Sequence, residues 1–248
     1  MARITQSSAA SGQRIVSILN ALKAHYQLAL PPPKPFRRSE DLRPAGAGRG
    51  DQKSKMLWDR GGREAFQVLI GTILSQRTRD SRTAAASEAL FARYPTASAL
   101  ARAPLAEVRR LVKPANFYKT KARTVRKAAQ AVLADHSGRV PLEREALLAI
   151  PGVGPKTAAC VLVYGHQLPA IPVDTHVHRI SNRLGLVATK TPEDTERALE
   201  QLVPKPYWRW VNELFVRHGQ ALCKPIGPRC GECPLAGRCP TGQQRLGK

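Results

Sequence analysis

Acidic side chains are scarce in this chain: 18 Asp and Glu stand against 40 Lys and Arg, a formal net charge of +22 over 248 residues. Self-repulsion on that scale is tolerated when the partner is a polyanion. Nucleic acid comes first, because Lys and Arg contacts to phosphates supply most non-specific affinity. An anionic membrane surface is the weaker alternative. A run of ~18 apolar residues is missing, which excludes a membrane-spanning helix from the reading. Alternating strand patterns of useful length are missing as well, and internal repeats are not evident. Cysteine is nearly absent until residue 223, after which four of the five crowd together. That distribution is unlike a secreted disulfide framework, which spreads its bridges through a small domain. With no secretory signal in view, the expectation is a protein that is not secreted and whose clustered thiols are metal ligands. Residues 1–39 hold no Asp or Glu but include Arg3, Arg14, Arg37 and Arg38. This bias is shared with transit peptides, but a basic arm leading into an ordinary helix is the preferred reading.

What is present is helical rhythm. Ile15, Ile18, Leu19, Leu22 and Tyr26 share one face of a helix expected over 12–30. Pro31-Pro32-Pro33-Lys34-Pro35 and the Arg- and Gly-rich stretch to about Lys55 read as linker or arm, since they hold too little apolar surface to fold alone. From Glu64 the signals are dense: Phe66, Leu69, Ile70 and Ile73 on one face, then helices expected over 84–94, 105–111, 121–136, 143–150, 156–165, 174–184 and 207–222. Thr191-Pro192-Glu193-Asp194 reads as a capped helix start, with Pro at the first helical position and Asp194 reaching back to Thr191. The fold class is all-α.

Four groups of residues carry chemistry. In Ile150-Pro151-Gly152-Val153-Gly154-Pro155-Lys156-Thr157, two helices meet at a turn with two glycines. The amides of Gly152, Val153 and Gly154, backed by a helix start, suit a phosphate and read no base sequence. Lys156 stands in the first turn of the second helix, where the macrodipole disfavours a cation. A depressed pKa follows, which an amine nucleophile needs; a solvated or phosphate-binding lysine is the plainer alternative. Asp174, in Pro172-Val173-Asp174-Thr175-His176, sits at a helix start and as a lone aspartate reads as an N-cap. Its functional reading is a carboxylate that stabilises a cationic sugar and helps to move protons. His176 either lines the same pocket or is a satisfied structural histidine. Cys223, Cys230, Cys233 and Cys239, spaced C-x6-C-x2-C-x5-C, suit one metal centre, and spacing alone does not separate zinc from iron–sulfur. Lys224 and Arg229 make the first cysteine loop basic and fit it for a phosphate. Cys160 lies on an apolar helix and reads as a buried small hydrophobe.

Together, Pro151–Thr157, Val173–His176 and the cysteine tail resemble the endonuclease III family of helix–hairpin–helix DNA glycosylases, over about Phe66 to Cys239. The resemblance implies a two-lobed helical fold: residues 58–168 with the hairpin, residues 169–248 with a [4Fe–4S] cluster on the four cysteines, and the helix from 1–57 packed on the latter. DNA would lie between the lobes with Lys156 and Asp174 on facing walls. It implies that Lys156 attacks C1′ of a flipped nucleotide, that Asp174 is the essential carboxylate, and that the strand is then cut by β-elimination. Oxidised pyrimidines such as thymine glycol are the implied substrates and damaged duplex DNA the partner, with a monomer as the working form. The implied location is the cytoplasm or nucleoid of a bacterium, or the nucleus or mitochondrion of a eukaryote. Gln76 and Arg77 correspond to the loop that enters DNA at the lesion, with Arg77 standing where many relatives carry Gln. Phe117, in Asn116-Phe117-Tyr118, corresponds to a second intercalating loop, a core contact being the equal alternative. A single-step adenine-mismatch glycosylase is the nearest rival, but Lys156 is present and Gly71 stands near the position of that branch's Glu. A non-catalytic hairpin DNA-binding protein and a zinc-binding regulator are the others.

Overall fold

The computed structural model describes residues 8–28 and 65–247. The expected Pro- and Arg-rich linker and the start of the basic arm lie outside the described residues. Among the described residues there is no strand, and twelve α-helices account for the architecture.

The described residues form two compact units. The first is contiguous and runs from α2 (Ala65–Ser75) through α3 (Asp80–Arg93), α4 (Ala97–Arg102), α5 (Leu105–Leu111), α6 (Tyr118–Asp135), α7 (Arg144–Ala149) and α8 (Pro155–Cys160) to a π-helical turn, Val161–His166. Helix α2 is its axis. Seven of its eleven residues are buried: Phe66, Val68, Leu69, Ile70, Gly71, Ile73 and Leu74. A helix apolar on every side has to be surrounded, and α3, α6, α8 and the π-helical turn pack around it. Gly165 is what lets that turn approach: a Cβ there would lie 3.0 Å from the Cα of Ala65. Sequence periodicity reads 156–165 as one α-helix; the chain widens after Cys160 instead, burying Val161, Leu162 and Val163.

The second unit joins distant parts of the chain. Helix α1 (Ser8–His25) packs against α10 (Pro192–Leu202) and α11 (Trp208–Ala221), and α9 (Thr175–Arg183) lies against α11. Ile15, Ile18, Leu19 and Leu22 of α1 share a core with Ile171, Val177, Leu214 and Phe215. Arg14 donates to the carbonyl of Leu184 at 2.8 Å, and Arg238 donates to the Ser17 hydroxyl at 2.9 Å. The chain closes with α12 (Pro240–Arg245), just past the last cysteine. Thr191 caps α10 as its sequence suggests, accepting from the Asp194 amide at 3.1 Å while its hydroxyl donates to the Asp194 carboxylate at 2.7 Å. Helix α4, capped by Thr96, and helix α12 lack a long apolar period and are not foreseen by one. No helix among the described residues is long and apolar enough to cross a membrane.

Candidate functional site

The hairpin turn is built around Gly152. Its φ of +86° belongs to the left-handed region that favours glycine, and a Cβ would fall 2.3 Å from the Thr124 methyl. The Val153 amide closes the turn onto the Ile150 carbonyl at 3.0 Å, and the Val153 side chain is buried. That amide, expected to face an anion, is therefore engaged within the turn. Gly154 differs from Gly152. Its backbone is extended, and a Cβ built on it would meet nothing within 4 Å. The fold does not require a glycine here, and the space beside its Cα is open to a ligand. Lys156 follows in the first turn of α8, half-buried, behind Pro155 at the first helical position.

Gln76 joins the loop after α2 to this turn. Its side-chain amide donates to the Gly152 carbonyl at 3.1 Å and to Thr157 Oγ1 at 3.5 Å. Arg77 and Phe117 are both exposed, and both hold left-handed backbone, φ 52° and 57°. Phe117 is 63% exposed, which sets aside the core contact as its role. Asn116 binds the two loops together. Its Nδ2 donates to the Arg77 carbonyl at 2.7 Å, its backbone amide donates to Thr78 Oγ1 at 3.2 Å, and its Oδ1 accepts from Arg82 at 3.0 Å.

Beneath them lies Lys121, only 6% exposed. Its ammonium donates to the carbonyls of Leu74 at 2.6 Å and Gln76 at 2.5 Å, and to Thr78 Oγ1 at 2.6 Å. Burial pushes its pKa down to about 8. Sequence reasoning singles out Lys156 as the perturbed lysine and passes over Lys121, whose setting arises only when α6 packs against α2.

In the other unit, Asp174 is the N-cap of α9. Its Oδ1 accepts from the amides of His176 at 2.8 Å and Val177 at 2.9 Å. Asn212, buried on α11, donates to the Pro172 carbonyl at 2.8 Å and fixes the approach to the cap. His176 Nδ1 lies 3.1 Å from Arg179 Nη2, and Gly219 lets the ring lie against α11, since a Cβ there would fall 2.2 Å from Nδ1. Helix α9 also grips the cysteine loop. Arg179 donates to the Cys223 carbonyl at 2.8 Å, and Arg183 donates to the carbonyls of Lys224 at 2.7 Å and Pro225 at 2.8 Å. Lys224 is left exposed. Arg229, expected to meet a phosphate, donates to the Ala221 carbonyl at the end of α11 at 2.9 Å and lies 3.2 Å from Glu232.

Cys223, Cys230, Cys233 and Cys239 line one cavity, with Ile180 and Leu235 on its apolar wall. Amides of Leu235 and Gly242 point at Cys233 and Cys239, each at 3.4 Å, and Arg183 lies 3.4 Å from the Cys223 sulfur. Among the described residues no three His, Cys, Asp or Glu side chains close around a single metal ion. Cys160 is buried on α8 in the other unit.

Residues 70–205 match the HhH-GPD superfamily of base excision DNA repair proteins. Endonuclease III of Thermotoga maritima is 46% identical over 182 residues, covering 73% of this chain and 85% of the relative. The chain belongs to the endonuclease III family. Endonuclease III of Synechocystis sp. is 40% identical over 178 residues, covering 71% of the chain and 81% of that relative. Two solved endonuclease III–DNA complexes, one a trapped covalent intermediate and one non-covalent, are each 28% identical. They overlay with TM-scores of 0.75 and 0.76, covering 95% and 96% of this chain and 98% and 99% of theirs. The chain is thus a base excision repair enzyme, a DNA glycosylase with AP lyase activity. Its family carries an iron–sulfur cluster.

Proposed function

We propose that this endonuclease III family member releases oxidised pyrimidines such as thymine glycol from duplex DNA, with Lys156 as nucleophile and Asp174 as the essential carboxylate. The observation that carries the reading is the position of Lys156: half-buried in the first turn of α8, two residues after Gly154, where the backbone stands open for a phosphate. The Lys156 amine bonds to C1′ of the flipped nucleotide as the C1′–N bond to the base breaks, and the base leaves with a proton. The sugar ring opens to an iminium on Lys156. Loss of a C2′ proton then breaks the C3′–O bond and cuts the strand, and water frees the lysine. The Asp174 carboxylate stabilises the positive charge that grows on the sugar and helps to move the proton. The trapped covalent intermediate of the related structure supports a covalent route.

Lys224, exposed on its loop, is suited to a backbone phosphate, while Arg229 shapes that loop through Glu232 and Ala221. Arg77 and Phe117 enter the helix at the lesion. The chain acts as a monomer.

Cys223, Cys230, Cys233 and Cys239 would hold the cluster. All four line one cavity, a four-thiolate donor set that suits a [4Fe–4S] group. When bound, such a cluster ties the loop after α11 to the segment before α12. Iron with four acid-labile sulfides and broad visible absorption supports this assignment; a colourless zinc protein overturns it.

Borohydride trapping on a duplex with one thymine glycol, with an abasic-site duplex alongside, tests the reaction. The wild type is expected to form a covalent complex on both, and Lys156→Gln on neither while still binding DNA. Trapping on the abasic duplex alone overturns the lesion assignment, and normal trapping by Lys156→Gln overturns the nucleophile.

A further inference from the structure

Helix α2 ends without a basic residue in its last turn. The last carbonyls of a helix have no partner within it, and a cation there is favourable. Here the cation arrives from α6. Lys121 reaches across to the Leu74 and Gln76 carbonyls and to the Thr78 hydroxyl. Thr78 Oγ1 is also the acceptor for the Asn116 amide, and the Asn116 side chain holds the Arg77 carbonyl. One ammonium and one hydroxyl therefore join the loop bearing Arg77 to the loop bearing Phe117. Both exposed residues hold left-handed backbone, which disfavours bulky side chains unless the surroundings impose it.

We infer that Lys121 is a positioning residue for DNA engagement: its ammonium locks the Arg77 loop to the Phe117 loop, so that the two side chains meet a duplex as one rigid wedge. The inference rests on the reading of Arg77 and Phe117 as residues that enter DNA.

The placement caps the end of α2 but also carries a desolvation cost. All three acceptors of Lys121 are uncharged, and a desolvated ammonium without a carboxylate is costly to bury. Burial also lowers its pKa to about 8, which still leaves it largely protonated at neutral pH. Lys121→Met loses that cap and that cost together, and is expected to keep the fold while engaging a duplex poorly.

The experiment compares wild type, Lys121→Met and Thr78→Val at pH 7. The first readout is the fluorescence of 2-aminopurine beside a tetrahydrofuran abasic analogue in a duplex, which rises when a wedge unstacks it. The second is borohydride trapping on an abasic site in duplex and in single-stranded DNA, the latter having no stack to open. For Lys121→Met the fluorescence rise at saturating protein is expected to fall by half or more. Its duplex-to-single-strand ratio of trapping rates is expected to fall tenfold or more. Thr78→Val, which buries no new charge, is expected to shift both in the same direction by a smaller factor, and it carries the test if Lys121→Met does not fold. Equal losses on duplex and single strand, or wild-type values on both readouts, overturn the inference. A wild type that traps on neither substrate overturns the proposed function, and this inference with it.

Discussion

The side-chain amide of Gln76 donates to the carbonyl of Gly152 at 3.1 Å, across 76 residues of chain. The loop after α2 is thereby tied to the hairpin turn, and Gly152 is held at φ +86° with the Thr124 methyl filling the place of a Cβ. Gly152→Ala is expected to destabilise the protein by about 2 kcal/mol, combining steric conflict with a backbone that alanine disfavours. Thr124→Ser in the same chain, which removes the offending methyl, should restore part of that loss but not all of it. Gln76→Ala should cost about 1 kcal/mol. Urea unfolding followed by circular dichroism measures all three. Full rescue by Thr124→Ser would mean that the left-handed backbone carries no strain.

Asp174 has one oxygen in the cap of α9, and a cap does not require charge. Asp174→Asn keeps an Oδ1 acceptor for the amides of His176 and Val177 and should leave stability within about 0.5 kcal/mol, whereas Asp174→Ala should lose about 1 kcal/mol. Both are expected to lower thymine glycol release by 100-fold or more. If Asn releases the base at the wild-type rate, Asp174 is a cap and nothing more.

Lys121 gives a pH signature whose sign is fixed. Its folded pKa, about 8, lies below the ordinary lysine value, so the unfolded chain binds more protons between the two. The stability that this residue withholds at neutral pH is regained as pH rises through 8 and beyond. The difference in unfolding free energy between wild type and Lys121→Met should therefore move in favour of the wild type from pH 7 to pH 9.5. Comparing the two proteins at each pH cancels the titration of every other group. A flat difference would mean that Lys121 is hydrated in solution.

DNA binding should weaken steeply with salt. If five or six phosphates are neutralised, the slope of log affinity against log salt is about −5. Lys224→Ala should make that slope shallower by about 1 with little change in lesion preference, since a phosphate contact positions and does not select. Anisotropy titrations from low to moderate salt read both quantities. An unchanged slope would remove Lys224 from the interface.

The local part of this structure is legible in the sequence, because local physics decides it. Leu105–Leu111 is a helix with the bounds its apolar spacing gives, and Thr191, Pro192 and Asp194 start α10 by hydrogen bonds within four residues of each other. Gly152 announces a turn. Lys121, Asn116, Arg179 and Arg183 announce nothing, since each acts through carbonyls more than 35 residues away in the chain. Arg229 has the composition of a phosphate ligand, and the structure sets its exposed guanidinium beside Glu232, three residues on. The left-handed backbone at Arg77 and Phe117 has no sequence signal either: neither is Gly, Asn or Asp, and the conformation is imposed by the bonds that Asn116 and Thr78 make.

The bond from Arg14 to Leu184 spans 170 residues, and that separation bears on how the chain folds as it is made. Helix α1 is made well before its partners on α10, α11 and the cysteine segment. The intervening helices from Ala65 to Leu168 form a contiguous unit that can close on itself as soon as it emerges. Until α10 and α11 are made, Ile15, Ile18, Leu19 and Leu22 lack the partners that bury them. The unit carrying the hairpin can be complete before α1 has found its place.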